Sequence, residues 1–264
     1  MKIKLVAVDM DGTFLNSQQD YDRERFAKVH ARMTELGIRF VVASGNQYYQ
    51  LRSFFTDYPN TIYVAENGAY IRDAETTYAV HTFSPEATET ITQYLSADPV
   101  LSAIACGVKT AHIRGSENPA FINEMHRYYH RLQLQDRLEA PDDQIMKFAT
   151  KMPPARTQEY IDKFSEAFAG IAVPTSSGHG DIDIIQQGRH KAAGLAELGE
   201  VLNIPLSEMA AFGDGGNDLE MIREAGLGVA MKNADPEVLA AADAVTPVDN
   251  DASGVCAFLE DYLK

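Results

Sequence analysis

Apolar positions fall into two rhythms along the chain. Short apolar runs at Leu5–Val8, Ile38–Ala43 (interrupted only by Arg39), Ile62–Ala65, Met209–Phe212 and Gly226–Met231 alternate with stretches whose apolar residues recur every third or fourth position. Runs of this length predict strands buried on both faces, and their alternation with helices predicts a parallel α/β sheet. The first helical stretch carries Phe26, Val29, Met33 and Leu36, with Gly37 as its stop. Asn67-Gly68 is a turn signal leading into a hairpin through Tyr70 and Ile71. A helix containing Lys191 precedes the Met209 strand, and helices over Leu219–Glu224, Pro236–Ala242 and Val255–Tyr262 continue the pattern.

From Phe83 the rhythm changes. Ser84-Pro85 supplies the N-cap and first-turn proline of a helix running to Ser96. Strands are predicted over Leu101–Cys106, Ala111–Arg114, Ile145–Ala149, Ile171–Thr175 and Ile182–Ile185, with helices over Pro119–His130 and Thr157–Phe168. Paired strands with intervening helices predict an α+β layer. The expected fold is therefore α/β: a Rossmann-like parallel-sheet core over residues 1–82 and 188–264, with an α+β domain inserted over 83–187.

Composition narrows the chemistry. A chain of 264 residues, 45% hydrophobic and 23% charged, is long enough for two domains of an ordinary globular protein. Its net charge of −15 argues against nucleic acid and anionic membranes as partners, because both need a basic face. An anionic substrate would have to be held by local cations against that field. Cys106 and Cys256 are too few for a disulfide framework or metal cluster. The first apolar run breaks at Asp9, too soon for a signal peptide or membrane span, so a cytoplasmic location is expected.

Val8-Asp9-Met10-Asp11-Gly12-Thr13 closes the first strand. Residues i and i+2 of an extended chain project to one side, so Asp9 and Asp11 can address a single reacting group. Gly12 permits a sharp turn or a close backbone approach. Two such carboxylates repel unless a cation or shared proton relieves them, and a divalent metal is expected. A calcium loop would want Gly and Glu where Phe14 and Asp20 stand, so that reading is set aside. Two further strand ends carry polar clusters, Ser44 with Asn46, and Asp214 with Asn217 and Asp218. In a parallel sheet those ends share one edge, where ligands bind, and Lys191 can reach it. Carboxylates, hydroxyl and backbone donors, a lysine and metal-binding acids together suit phosphoryl transfer.

Asp9-Met10-Asp11-Gly12-Thr13, Ser44-Gly45-Asn46, Lys191 and Gly213-Asp214-Gly215-Gly216-Asn217-Asp218 resemble the four ordered motifs of the haloacid dehalogenase superfamily. The large insertion resembles the cap of its Cof-type, or IIB, branch. The strings Val41 to Leu51 and Ala65-Glu66-Asn67-Gly68-Ala69 look most like that branch's bacterial sugar phosphatases. The resemblance implies a Mg2+-dependent phosphatase in which Asp9 attacks phosphorus and Asp11 serves as acid and then base. It implies magnesium held by Asp9, the backbone carbonyl of Asp11, and Asp214, with Asp218 orienting a metal-bound water. Ser44, Lys191, Asn217 and the backbone near Gly12 and Gly45 would hold phosphate.

Taken singly, Ser44 and Asn217 could merely cap helices, and most lysines are solvated surface groups. Their functional reading rests on the company they keep. In the inserted segment, His179 and Asp183 are the residues expected to meet substrate, although an ordinary loop histidine explains His179 equally well. His112, His126 and His130 lack metal-ligand spacing. A sugar phosphomutase is the nearest alternative, since it would use the same Asp pair. A signalling module phosphorylated on aspartate is disfavoured, because it needs neither Asp11 as acid nor a long insertion. The expected partner is a small phosphorylated metabolite, and the sequence leaves the oligomeric state open.

Overall fold

The computed structural model describes residues 2–140, 142–178 and 180–264. The first part of the chain holds β1 (Leu5–Val8), α1 (Arg23–Glu35), β2 (Arg39–Ala43), α2 (Tyr48–Phe54), β3 (Ile62–Ala65), β4 (Tyr70–Arg72) and β5 (Thr77–Val80). The middle holds α3 (Pro85–Ala97), β6 (Ser102–Gly107), β7 (Ala111–Arg114), α4 (Pro119–Met125), β8 (Leu132–Gln135), β9 (Ile145–Lys151), α5 (Thr157–Ala167), β10 (Ala172–Gly178) and β11 (Asp181–Gln186). The last part holds α6 (Lys191–Leu202), β12 (Met209–Gly213), α7 (Leu219–Glu224), β13 (Leu227–Ala230), α8 (Pro236–Ala241), β14 (Ala244–Val245) and α9 (Gly254–Tyr262). Among the described residues these strands form two sheets, ordered β14-β13-β12-β1-β2-β3-β4-β5 and β10-β11-β9-β6-β7-β8. No described helix is long and apolar enough to cross a membrane.

The first sheet is parallel from β14 to β3 and turns antiparallel at β4 and β5. Its central strands are buried apart from Arg39 at the start of β2, as their apolar runs require. Local signals set the connection from β1 to β2. Asp22 accepts a hydrogen bond from the Arg25 N–H at 2.9 Å to start α1, and Phe26, Val29 and Met33 face the core. Gly37, at φ 71°, ends it with a paired closure in which Ile38 N–H reaches Met33 O at 2.8 Å and Gly37 N–H reaches Thr34 O at 3.1 Å. Val8 then lies opposite both Val42 on β2 and Phe212 on β12. That register levels three strand ends, so Asp9, Ser44 and Asp214 emerge at one edge.

The second sheet alternates its faces. Ala103 and Ala105 of β6 pack with Phe148, Phe164 and Ile184 under α3 and α5, whereas Ile104 and Cys106 pack with Ile113, Met125 and Tyr129 under α4. Because Cys106 pairs with Lys147, Ile104 with Ala149, Asp183 with Ala149, and Asp181 with Lys151, those residues share the face that carries α4.

Several predicted elements differ. The helix from Pro119 ends at Met125 rather than His130, and β8 follows it as an edge strand parallel to β7. Gln133 and Leu134 are exposed, so pairing rather than apolar burial supports β8, and apolar patterning could not reveal it. The edge strand β5, with no buried residue, escaped for the same reason. The short helix α2, which buries Tyr48 and Leu51, was also unpredicted. The Asn67-Gly68 turn is wider than a two-residue hairpin: Glu66, Asn67 and Gly68 all take left-handed φ values of 51°, 54° and 90°. Two hydrogen bonds to the β2 loop hold this unusual run, Glu66 N–H to Asn46 O at 3.3 Å and Asn67 N–H to Ser44 O at 3.1 Å.

Candidate active site

Past β1 the backbone stays extended at Asp9 and Asp11 and turns at Gly12, whose φ is 74°. A Cβ at Gly12 would run into the Asp214 carboxylate, so this glycine is required both for its conformation and for the close approach. The Thr13 hydroxyl donates to Asp214 Oδ1 at 2.6 Å. Asn46 Nδ2 donates to Asp11 Oδ2 at 2.7 Å. Lys191, the first residue of α6, is 1% exposed, and its Nζ donates to Asp9 Oδ1 and Asp218 Oδ1, each at 2.6 Å. Asp218 is fully buried, and its other oxygen accepts the N–H groups of Asp214 at 2.9 Å and Gly215 at 3.1 Å.

Carboxylate oxygens of Asp9, Asp214 and Asp218 lie within 4.8 Å of one another. Burial, reinforced by Asp218, pushes the Asp9 carboxyl well up despite Lys191. Burial likewise raises Asp214 to about 6 against the Thr13 hydrogen bond. Burial alone would lower the Lys191 ammonium, but Asp218 and Asp9 outweigh it and hold it above its ordinary value. Three acids against one bonded lysine leave the cluster two positive charges short when all are ionised, and hard oxygen donors suit a divalent cation such as magnesium. Asp218 has both oxygens engaged, so Asp9 and Asp214 are the members with oxygens to spare. The Asp11 carboxylate is not in this cluster and turns to Asn46 instead.

A cavity of about 430 Å³ lies between this edge and the second sheet. Asp9, Asp11, Gly12, Ser44, Gly45, Asn46, Asp214 and Asn217 line it from one side, and Ile104, Phe121, Met125, Tyr128, Lys147, Thr150, Lys151, Asp181 and Asp183 from the other.

A haloacid dehalogenase-like hydrolase model matches residues 6–259. The chain belongs to the haloacid dehalogenase-like hydrolases. It is 41% identical over 265 residues to the Escherichia coli 5-amino-6-(5-phospho-D-ribitylamino)uracil phosphatase YbjI, covering 100% of this chain and 97% of that protein. The crystal structure of SMU.1108c from Streptococcus mutans matches with a TM-score of 0.93 and 32% identity over 99% of each chain. The subclass IIB sugar phosphatase BT4131 shares the fold, cap included, at a TM-score of 0.85 over 98% of each chain with 21% identity. This member of the family is a phosphoric monoester hydrolase.

The hydrolase thus brings Asp9, Asp11, Ser44, Gly45, Asn46, Asp214 and Asn217 to one cavity, with Lys191 and Asp218 buried behind Asp9. Asp183 also lines the cavity, but its Oδ2 accepts from Asn67 Nδ2 at 2.6 Å and Lys147 Nζ at 2.7 Å, so it faces the core loops as much as the open space. His179 lies outside the described residues. His126 and His130 are exposed, while buried His112 is hydrogen-bonded to Asp143 at 3.2 Å and Gln135 at 2.9 Å. Sequence reasoning missed Lys147, Lys151 and Tyr128 on the far wall, and Glu66 and Asn67 beneath it. A signal for Lys147 was present: a single cation inside the otherwise apolar Ile145-Met146-Lys147-Phe148-Ala149 strand.

Proposed function

We propose that this phosphatase is magnesium-dependent and acts in the cytoplasm on small phosphorylated sugars and sugar-derived polyols, through an aspartyl-phosphate on Asp9. Residues 83–187 would form the cap over the leaving alcohol. The observation that carries this reading is the division of labour at the strand end. Lys191 occupies Asp9 Oδ1, leaving the second oxygen of Asp9 for attack on phosphorus. Asn46 occupies Asp11 Oδ2, leaving the other oxygen of Asp11 to protonate the departing alcohol and later to take a proton from water. Ser44, Asn217, Lys191 and the N–H groups near Gly12 and Gly45 would hold the phosphate oxygens. Magnesium, held by Asp9, Asp214 and the Asp11 backbone carbonyl, would offset phosphate charge when bound. Asp218 would instead keep Lys191 and the Asp214 loop in place through its three hydrogen bonds. Positioning and charge neutralisation must do most of the work, since phosphate monoester hydrolysis is among the slowest uncatalysed reactions, with enzymatic accelerations up to ~10²¹-fold.

The two-sided cavity supports the substrate class. Lys151 and Asp181 offer hydroxyl-binding groups, and Ile104, Phe121, Met125 and Tyr128 offer an apolar wall beside them. A phosphorylated sugar or ribityl chain fits the first, and a planar ring fits the second. The substrate named for the E. coli relative has both parts. A hydrolysis screen over phosphate monoesters with magnesium tests the reading: sugar and polyol phosphates, with and without an attached ring, should release inorganic phosphate. Transfer to a second sugar with a bisphosphate requirement would mark a mutase instead, and absence of turnover on every ester would defeat the assignment.

A further inference from the structure

We propose that Lys147 is a positioning residue of the hydrolysis: it reaches from the inserted domain to the peptide that orients Ser44 and Asp11, so the phosphate grip and the acid are completed only when that domain is seated. The inference rests on the roles given to Ser44 and Asp11 above. Lys147 is 3% exposed, and a buried ammonium is costly unless its protons are used. Its Nζ donates to the Gly45 carbonyl at 2.7 Å and to Asp183 Oδ2 at 2.7 Å, and it stands 3.6 Å from Glu66 Oε2. Two of these partners, Gly45 and Glu66, belong to the parallel-sheet core, while Lys147 belongs to β9 of the second sheet.

The Gly45 carbonyl and the Asn46 N–H are opposite ends of one planar peptide. Its N–H end donates to Ser44 Oγ at 3.1 Å. Because that bond fills an acceptor position on the oxygen, the Ser44 hydroxyl proton is left to point at a phosphate oxygen. The residue that begins with this N–H is Asn46, whose side chain holds Asp11 at 2.7 Å. A charge-assisted hydrogen bond at the carbonyl end therefore acts on both groups at once. Gly45 makes room for it, since a Cβ there would stand 3.2 Å from Asp183 Oδ2 and from the Asn67 amide. The same loop has a second tie to the inserted domain: the Gln47 side-chain amide and the Arg131 backbone exchange two hydrogen bonds of 2.9 Å, and the Arg131 guanidinium lies 3.6 Å over Tyr49. The loop is thus the seat of the inserted domain, and Lys147 is the contact that leads from it to the reacting groups.

The test is a double variant, Lys147→Met with Asp183→Asn, which keeps the net charge and strands no Asp183 carboxylate. Inorganic phosphate binding with magnesium should weaken about tenfold by calorimetry, although Lys147 does not touch the phosphate. The kcat for a sugar phosphate should fall about 30-fold or more and that for p-nitrophenyl phosphate less than about fivefold, the leaving-group signature of a misplaced acid. Unchanged phosphate affinity with a raised KM for sugar phosphate alone would mean that Lys147 binds the leaving group, and would overturn the proposal. A uniform fall that follows a lowered Tm would overturn it as a purely structural role. If the double variant does not fold, Lys147→Arg replaces it, with the same signature expected at smaller size and wild-type values counting against the proposal. Failure of the unaltered protein to hydrolyse any ester would defeat the phosphatase reading, while the phosphate-binding measurement would still decide Lys147.

Discussion

Asp9 and Asp11 stand two residues apart yet have different surroundings, Asp9 bonded to the buried Lys191 and Asp11 to the amide of Asn46. Their substitutions should therefore fail differently. Asp9→Asn preserves size and should leave folding intact, but an amide is no nucleophile, so kcat should drop by at least ~10³-fold and no phosphoenzyme should be trapped. Full activity in this variant would sink the mechanism. Asp11→Asn should slow turnover by about 10²- to 10⁴-fold on sugar phosphates and less on an aryl phosphate, which leaves without a proton. Steady-state rates on both esters check this, and equal losses would contradict the acid role. Both residues were legible in the sequence because their chemistry is local: they follow an apolar strand at the spacing that points two side chains one way. Lys147 was not, because its partners, Gly45, Glu66 and Asp183, come from three separate segments.

The turn between β3 and β4 places Glu66 at 1% exposure with Oε2 lacking a hydrogen-bond partner, facing Lys147 at 3.6 Å. Burial raises its carboxyl from an ordinary 4.5 to about 7, with Lys147 opposing and Asp183 adding to the rise. A carboxyl raised on folding contributes stability that is fully present below its unfolded value and lost as pH climbs through the folded one. Glu66→Gln cannot ionise. Its stability relative to the unaltered protein should therefore grow between pH 4.5 and pH 7, by up to about 3 kcal/mol, and then level off. Urea unfolding of both proteins at pH 5 and pH 8 measures this, and a gap that stays constant would show that the burial does not govern Glu66. At this scale the sequence revealed the elements that bury apolar residues, such as β1, β2 and α1. It concealed β5 and β8, which owe their order to a neighbouring strand.

For the whole molecule, a chain of net charge −15 gathers three acids at one edge and still has to bind an anion. A chelator should stop turnover and magnesium should restore it, while saturating magnesium should raise Tm by about 5 °C. Calcium should bind without supporting turnover, because its larger, more flexible shell could take both oxygens of Asp9. Because Asp214 stands at about 6 without metal, magnesium must displace its proton at lower pH, and affinity should fall about tenfold per pH unit below that point. Calorimetry across pH 5 to 8 and a phosphate-release assay in each metal check these outcomes; full activity in calcium or after chelation would contradict them. The sequence by itself determined the α/β class, the strand ends that carry acids and the ordered motifs, since apolar periodicity and short-range spacing are properties of consecutive residues. Only the tertiary structure decided which oxygens of Asp9 and Asp11 remain open, that Asp218 is fully engaged, and that the second sheet turns Lys147, Lys151 and Asp183 toward the core. Those outcomes depend on strand register and on contacts between residues far apart in the chain, 182 positions for Asp9 and Lys191, and neither is written in any one stretch of chain.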